Sequence, residues 1–195
     1  MVYNVGYLGN GKYKSKYLVD SKWKHTKQYL VWRTMIMRCY DVKYSKKHPT
    51  YKDCTVCEEW HNFQTFAKWF DENYYEIENT IMDLDKDILK NGNKIYCPKY
   101  CVFVPQQINK LFTLRTLNRG AYPLGCHLDG NKFTVKLNKF GNEVLIGRTN
   151  NINEAFSIYK YEKEKYVKEV ADLYKDNIPL KLYEALYKYQ VNITD

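Results

Sequence analysis

Residues 122–149, "YPLGCHLDGNKFTVKLNKFGNEVLIGRT", alternate apolar and polar side chains around two turns, Asp129-Gly130-Asn131 and Gly141-Asn142. Alternation with turn residues at that spacing directs the chain into three short antiparallel strands. The stretch that follows, "NINEAFSIYKYEKEKYVKEVADLYKDN", sets Ala155, Tyr159, Tyr166, Val170 and Leu173 near one stripe of a long helix, with Asn153 as its N-cap. The second half therefore reads as a three-stranded antiparallel sheet packed on a long helix. Pro179 interrupts, and "LKLYEALYKYQ" adds a short final helix. On the middle strand Phe133, Val135 and Leu137 alternate inward, which leaves Lys132, Thr134, Lys136 and Asn138 on the other face.

The first half has a different texture. From Tyr29, "YLVWRTMIMRCY" repeats apolar residues at helical spacing, so a helix to about Tyr40 is predicted, with a break at Pro49. Glu58 to Asn73, "EEWHNFQTFAKWFDEN", places Trp60, Phe63, Phe66, Ala67 and Phe70 on one side of a second helix. "CVFVPQQINKLF" is a short strand leading into another helical piece. Residues 1–28 carry Lys12, Lys14, Lys16, Lys22, Lys24 and Lys27 with Tyr13, Tyr17 and Trp23 between them, and read as a basic arm. The fold class is α+β. Its divisions are the arm 1–28, a module over 29–112, a linker over 113–121, and the sheet-and-helix module 122–195.

A chain of 195 residues has room for one ordinary domain or two small ones. A formal charge of +9 with twenty tyrosines suits a surface that meets phosphate with its lysines and sugars or bases with its rings. No run approaches the roughly 18 to 20 apolar residues of a membrane span, and "MVYNVGYLGNGKYKSKY" lacks a signal-peptide core. The expectation is a monomer in the cytoplasm. Six cysteines do not make a disulfide scaffold in a chain of this size. Two close pairs, Cys54 with Cys57 and Cys97 with Cys101, stand near the spacing of a structural zinc site; buried free thiols are the other reading.

Within "MDLDKDILKNGNKIYCPKYC", Asp83, Asp85 and Asp87 recur at every second position, so an extended segment would put three carboxylates on one face. Together with "WRTMIMRCYD", "YKDCTVCEEWHNFQTFAKWFDEN" and "CVFVPQQIN", in that order over about residues 29–112, this segment resembles the phage HNH endonucleases of the homing type. The resemblance implies a ββα-metal module in which Asp85 and Asn109 bind Mg²⁺ or Mn²⁺ against the scissile phosphate of double-stranded DNA. Where the strict motif has its general-base histidine, this chain has Lys86. Lysine ordinarily titrates at about 10.4 and a useful base works at roughly 7 to 8, so Lys86 reads as a cation for the phosphate or for the neighbouring aspartates. Asp87 and His61 are the further catalytic candidates, and His48 or a water held by the metal are alternative bases.

"GAYPLGCHLDGNKFTVKLNKFGNEVLIGRTNNINEAFSIY", over about residues 119–175, resembles the APETALA-two (ethylene-response-factor) type of DNA-binding domain. That fold lays its sheet in the major groove, so the resemblance implies DNA contacts from Arg119, Lys132, Thr134, Lys136, Asn138 and Arg148. The functional expectation is a metal-dependent DNA endonuclease of nicking or homing type. The alternative is a cleavage-deficient DNA-binding protein that regulates phage genes or blocks a host nuclease or defence system, with a host or phage protein as partner.

Overall fold

The computed structural model describes residues 1–112 and 122–193 of an α+β chain that divides after Pro105. In the first unit, Met1–Pro105, the basic lead-in is a hairpin of β1 (Lys16–Val19) and β2 (Lys22–His25). Helix α1 (Lys27–Tyr40) follows at once, capped by Thr26, whose hydroxyl accepts the Tyr29 N–H. Asp41 ends α1 and starts α2 (Val42–Lys47), donating its N–H to Met37 and accepting the Tyr44 N–H on its carboxylate. The helix thus ends at Tyr40, as its spacing predicts, and Asp41 rather than Pro49 makes the break. A short strand β3 (Thr55–Val56) and a 3₁₀ turn (Glu58–His61) precede α3 (Phe63–Asn73). The single helix expected over Glu58–Asn73 is interrupted because Asn62 leaves helical geometry and caps α3, accepting the Gln64 N–H at 2.9 Å.

Three strands complete this unit: β4 (Met82–Asp85), β5 (Ile95–Tyr96) and β6 (Val102–Pro105). β4 pairs antiparallel with β6, Asp85 opposite Val102 and Asp83 opposite Val104, while β5 pairs parallel with β3. The helical stripes of α1 and α3 meet in a core built from aromatics: Trp32, Trp60, Phe63, Phe66, Phe70 and Phe103 are all buried. Each such side chain contributes about 2–3 kcal/mol on removal from water. The indole N–H of Trp32 is satisfied inside that core by the Trp60 carbonyl at 2.7 Å. A Cβ on Gly6 would lie 2.7 Å from the Trp32 ring, so only glycine lets the N-terminal segment cross there. Residues 1–28 are therefore no irregular arm. Gly6 packs on α1, Tyr7 bridges to Asn62, and Gln64 donates to the carbonyls of Leu8 and Tyr13.

The second unit, Gln106–Asp195, opens with the one-turn helix α4 (Gln106–Asn109). The three predicted strands are β7 (Cys126–Asp129), β8 (Lys132–Lys139) and β9 (Asn142–Thr149), an antiparallel sheet in the order β7-β8-β9. Helix α5 (Ile152–Leu173) covers it, and α6 (Leu180–Tyr187) follows Pro179. The cap of α5 is Asn151 rather than Asn153, because Asn151 accepts the N–H groups of Asn153 and Glu154. Ala155, Tyr159, Tyr166 and Val170 are buried as the stripe requires, whereas Leu173, in the last turn, is 65 % exposed. Gly125 sits at φ +71°, and a Cβ there would collide with the Tyr159 ring.

Lys163 faces inward from α5, buried, with its ammonium donating to the Leu111 carbonyl at 2.7 Å. Burial pulls its pKa down to about 8 from 10.5. The folded chain then binds fewer protons than the unfolded one between those pH values, so the penalty is complete below about pH 8 and disappears as pH rises to 10.5. Lys163→Met should raise the thermal midpoint at pH 7, by up to about 3 kcal/mol of stability, and remove the gain that the parent chain shows between neutral and alkaline pH. Thermal unfolding of both chains across that range checks it; equal pH dependence in the two would count against the assignment.

Candidate functional site

The acidic segment is extended only as far as Asp85. There the Asp85 side chain takes over from the strand ladder: Oδ1 accepts the N–H groups of both Asp87 and Ile88 at 2.7 Å, an Asx turn that swings the chain out of β4. Asp83 and Asp85 remain strand positions, but Asp87 leaves the strand. The expected single face of three carboxylates is not formed. Burial raises the Asp85 carboxyl above its ordinary range, against the two N–H groups, which favour the charged form.

Lys86 is 5 % exposed, with its side chain turned into the protein. Its ammonium donates to both carboxylate oxygens of Asp87, at 2.8 and 2.7 Å, and to the Asn93 carbonyl at 2.9 Å. Three acceptors match the three protons of an ammonium. Burial works against the charge, yet the hydrogen bond and charge of Asp87 prevail and hold Lys86 above its ordinary pKa. Of the two roles the sequence left open, the geometry gives Lys86 pairing with aspartate. A phosphate contact would require it to release a partner, and a general-base role would require it to lose a proton it holds tightly. Asp87 is correspondingly committed as its counter-ion.

Asn93 completes this arrangement and was not singled out from the sequence, where "NGN" reads only as a turn. It is 7 % exposed; its amide donates to the carbonyls of Lys86 and Ile95 at 2.8 Å each, and its oxygen accepts the Ile95 N–H. Residues 86 and 93 are therefore clasped twice, once through each side chain. Asn109 lies on α4, which begins at the residue after β6, and the division of the chain after Pro105 places it with the second unit rather than the first.

His61 ends the 3₁₀ turn with Nε2 3.0 Å from the Val56 carbonyl and 3.5 Å from the Tyr40 hydroxyl. A carbonyl only accepts, so Nε2 carries a proton and the ring is committed between β3 and α1. His48 stacks on Tyr44, ring centroids 4.3 Å apart. Among the described residues neither histidine forms a hydrogen bond or ion pair with Asp85, Lys86 or Asp87.

A carboxylate such as that of Asp85 and an amide oxygen such as that of Asn109 are the donor types that suit a hard divalent cation, Mg²⁺ or Mn²⁺. With two N–H groups on Oδ1, Oδ2 is the Asp85 atom with capacity for an ion. Among the described residues no three His, Cys, Asp or Glu side chains are grouped to hold a metal ion. The cysteines of the zinc expectation are free: the Cys54 thiol donates to the Thr50 carbonyl and the Cys57 thiol to Glu59. Burial pushes the Cys57 thiol up to about 12, and those of Cys54 and Cys101 upward as well.

The outer face of the β7-β8-β9 sheet is less basic than its sequence suggests. Lys136 pairs with Glu143 at 2.7 Å, and Arg148 reaches across β8 to Asp129 at 2.9 Å. Thr134, in the row His127–Thr134–Arg148, is 5 % exposed and donates to the His127 carbonyl. Thr134 is accordingly not a groove-facing residue. Asn138 accepts the Gly141 N–H and holds the turn, and Lys132 is exposed at the strand start. Arg119 lies outside the described residues. The register also shifts opposite Val135 and Lys136, where β9 carries Ile146 as an extra residue, so Arg148 is offset from the β9 side chains beyond the shift.

The β1–β2 hairpin contrasts with this sheet. Lys12, Lys14, Lys16, Lys22 and Lys24 are all exposed and, among the described residues, form no ion pair. No known family model matches the chain, and no curated protein or solved structure matches it either. No helix of the described residues is long and apolar enough to cross a membrane.

Asn93→Ala leaves the buried Lys86 carbonyl and the Ile95 carbonyl without their amide donor. The expected cost is about 2–4 kcal/mol, read from urea unfolding, with amide exchange accelerated first in residues 86–95. A loss within about 0.5 kcal/mol would mean that the clasp does not hold the loop.

Proposed function

We propose that this chain is a metal-dependent DNA endonuclease of the phage HNH type that nicks duplex DNA. One observation carries the reading: Asp85 closes β4 beside β6 with its carboxylate fixed by two backbone N–H groups, and the helix bearing Asn109 starts at the residue after β6. Strand, loop, strand and helix occur in the order that the resemblance implies, with Asp85 on the first strand and Asn109 on the helix.

Asp85 and Asn109 would hold Mg²⁺ or Mn²⁺, which supplies Lewis-acid polarisation of the phosphate and charge for the leaving oxygen. The protein's own part is positional. The Asx turn fixes the carboxylate, and the clasp between Lys86 and Asn93 keeps the following loop from moving it. The unpaired lysines of the first hairpin supply positive potential for the DNA backbone. A single metal centre serves one strand at a time, hence nicking rather than a double-strand break.

A second reading is favoured by one specific feature. Lys86 is bound by three acceptors and is not placed to take a proton from water, and the Nε2 of His61 is turned to Val56 and Tyr40. The chain would then be a DNA-binding protein on an HNH-like scaffold that has lost cleavage, acting as a regulator or as an inhibitor of a host nuclease or defence system.

Nicking of supercoiled plasmid separates the two. Under the first reading Mg²⁺ or Mn²⁺ supports relaxation, EDTA abolishes it, and Asp85→Ala and Asn109→Ala each reduce it by about 100-fold or more. Salt-sensitive plasmid binding with no nicking in any metal would select the second.

A further inference from the structure

The β1–β2 hairpin carries side chains that the site around Asp85 does not use. Its register, Lys16 with His25, Tyr17 with Lys24, Leu18 with Trp23 and Val19 with Lys22, sorts the ribbon into two faces. One face holds Lys16, Leu18, Trp23 and His25; the other holds Tyr17, Val19, Lys22 and Lys24. Both are open to solvent, Trp23 at 63 %, Leu18 at 57 % and Tyr17 at 47 % exposure. The Lys16 ammonium lies 4.5 Å from the Trp23 ring centroid, so this aromatic already sits beside a cation. The acid of the ribbon is Asp20, at the turn, where Asp20 and Ser21 take φ of 49° and 59°.

A protein that left these side chains unpartnered would gain nothing from ordering the ribbon, yet its root is tied down. The Thr26 hydroxyl donates to the Lys14 carbonyl at 2.9 Å, the Thr26 N–H donates to Ser15, and His25 stacks on Tyr29 of α1. The element is a rigid-rooted projection with a cation and an aromatic on each face. A flat anionic surface would neutralise one face only, whereas a groove between two phosphate backbones neutralises both. A B-form major groove, roughly 12 Å wide, admits a two-stranded β-ribbon, and two paired strands of four residues extend about 13 Å along it. The major groove of duplex RNA is too deep and narrow for side chains to read.

We propose that the β1–β2 hairpin is a groove-entering ribbon for duplex DNA, its lysines on the two bordering backbones and Trp23 and Tyr17 against sugar and base edges. The inference shares with the reading above only that the chain meets duplex DNA, and does not require cleavage.

Trp23 is a built-in reporter, because Trp32, Trp60 and Trp69, the other three tryptophans of the chain, are buried. The experiment is acrylamide quenching of tryptophan emission in the full chain, alone and with a B-form DNA duplex or the matching single strand. It is paired with the salt dependence of duplex binding for the parent and for the Lys16→Gln, Lys22→Gln, Lys24→Gln triple variant. The proposal expects the duplex to remove the readily quenched component, and the triple variant to lose about 2.7 from the slope of log K against log salt. Duplex binding with Trp23 still fully quenchable, or protection by single strand alone, would overturn it. An unchanged salt slope in the variant would do the same. Plasmid nicking retained by the triple variant alongside unprotected Trp23 would leave the endonuclease reading standing without the ribbon. No duplex binding at low salt would end both.

Discussion

A buried ammonium has to be surrounded by acceptors, and the segment between β4 and β5 is organised by that requirement at Lys86. Asp87 can reach Lys86 because the Asx turn at Asp85 carries the chain out of the strand, and the Asn93 carbonyl can reach it because the Asn93 amide ties the loop back onto the Lys86 carbonyl. Removing one partner of such a pair leaves a charge uncompensated, which costs more than the pair itself contributes. The geometry of Asp85 therefore depends on its neighbour. The carboxylate that would meet a metal is held by two N–H groups, one of which belongs to the residue that neutralises Lys86.

The rest of the first unit is held by rings. α1 and α3 present Trp32, Phe63, Phe66 and Phe70 to one another, and Phe103 of β6 joins them, so the strand beside Asp85 is tied to the most buried part of the unit. A two-stranded hairpin has little stability of its own. The order of β1–β2 derives from its anchors at the start of α1 and from Gln64, which fixes residues 8–13 on α3. The dependence runs from core to helix to ribbon, and the most exposed aromatic of the hairpin is supported by the most buried ones.

Periodicity made much of this legible. Alternation located β7, β8 and β9, and helical spacing located α1, α5 and the buried stripe of Ala155, Tyr159, Tyr166 and Val170, because apolar burial is what periodicity encodes. What escaped was local competition by polar side chains. Asn62 and Asn151 each accept a backbone N–H and move a helix boundary. At the site, the sequence placed Asp85 on a strand and offered Lys86 a pairing with aspartate, and both are observed. It could not foresee that Asp85 itself would stop the strand, nor that Asn93 would close the loop, since those bonds join residues whose spacing carries no pattern. Thr134 failed as a surface residue for a similar reason. It is 5 % exposed, with its hydroxyl turned to the His127 carbonyl, a bond that alternation does not encode.

The buried thiols have a consequence for the chemical life of the protein. Burial pushes the thiols of Cys39, Cys54, Cys57, Cys101 and Cys126 above their ordinary pKa, and the thiolate is the form that oxidants and alkylating agents attack. Cys54, Cys101 and Cys126 are also buried, although none is protected by a disulfide. The reactivity of these three is then set by how often the surrounding structure opens. Each of them is in effect a slow clock that ticks on local unfolding, and the spread of their labelling rates would map which parts of the fold let go first.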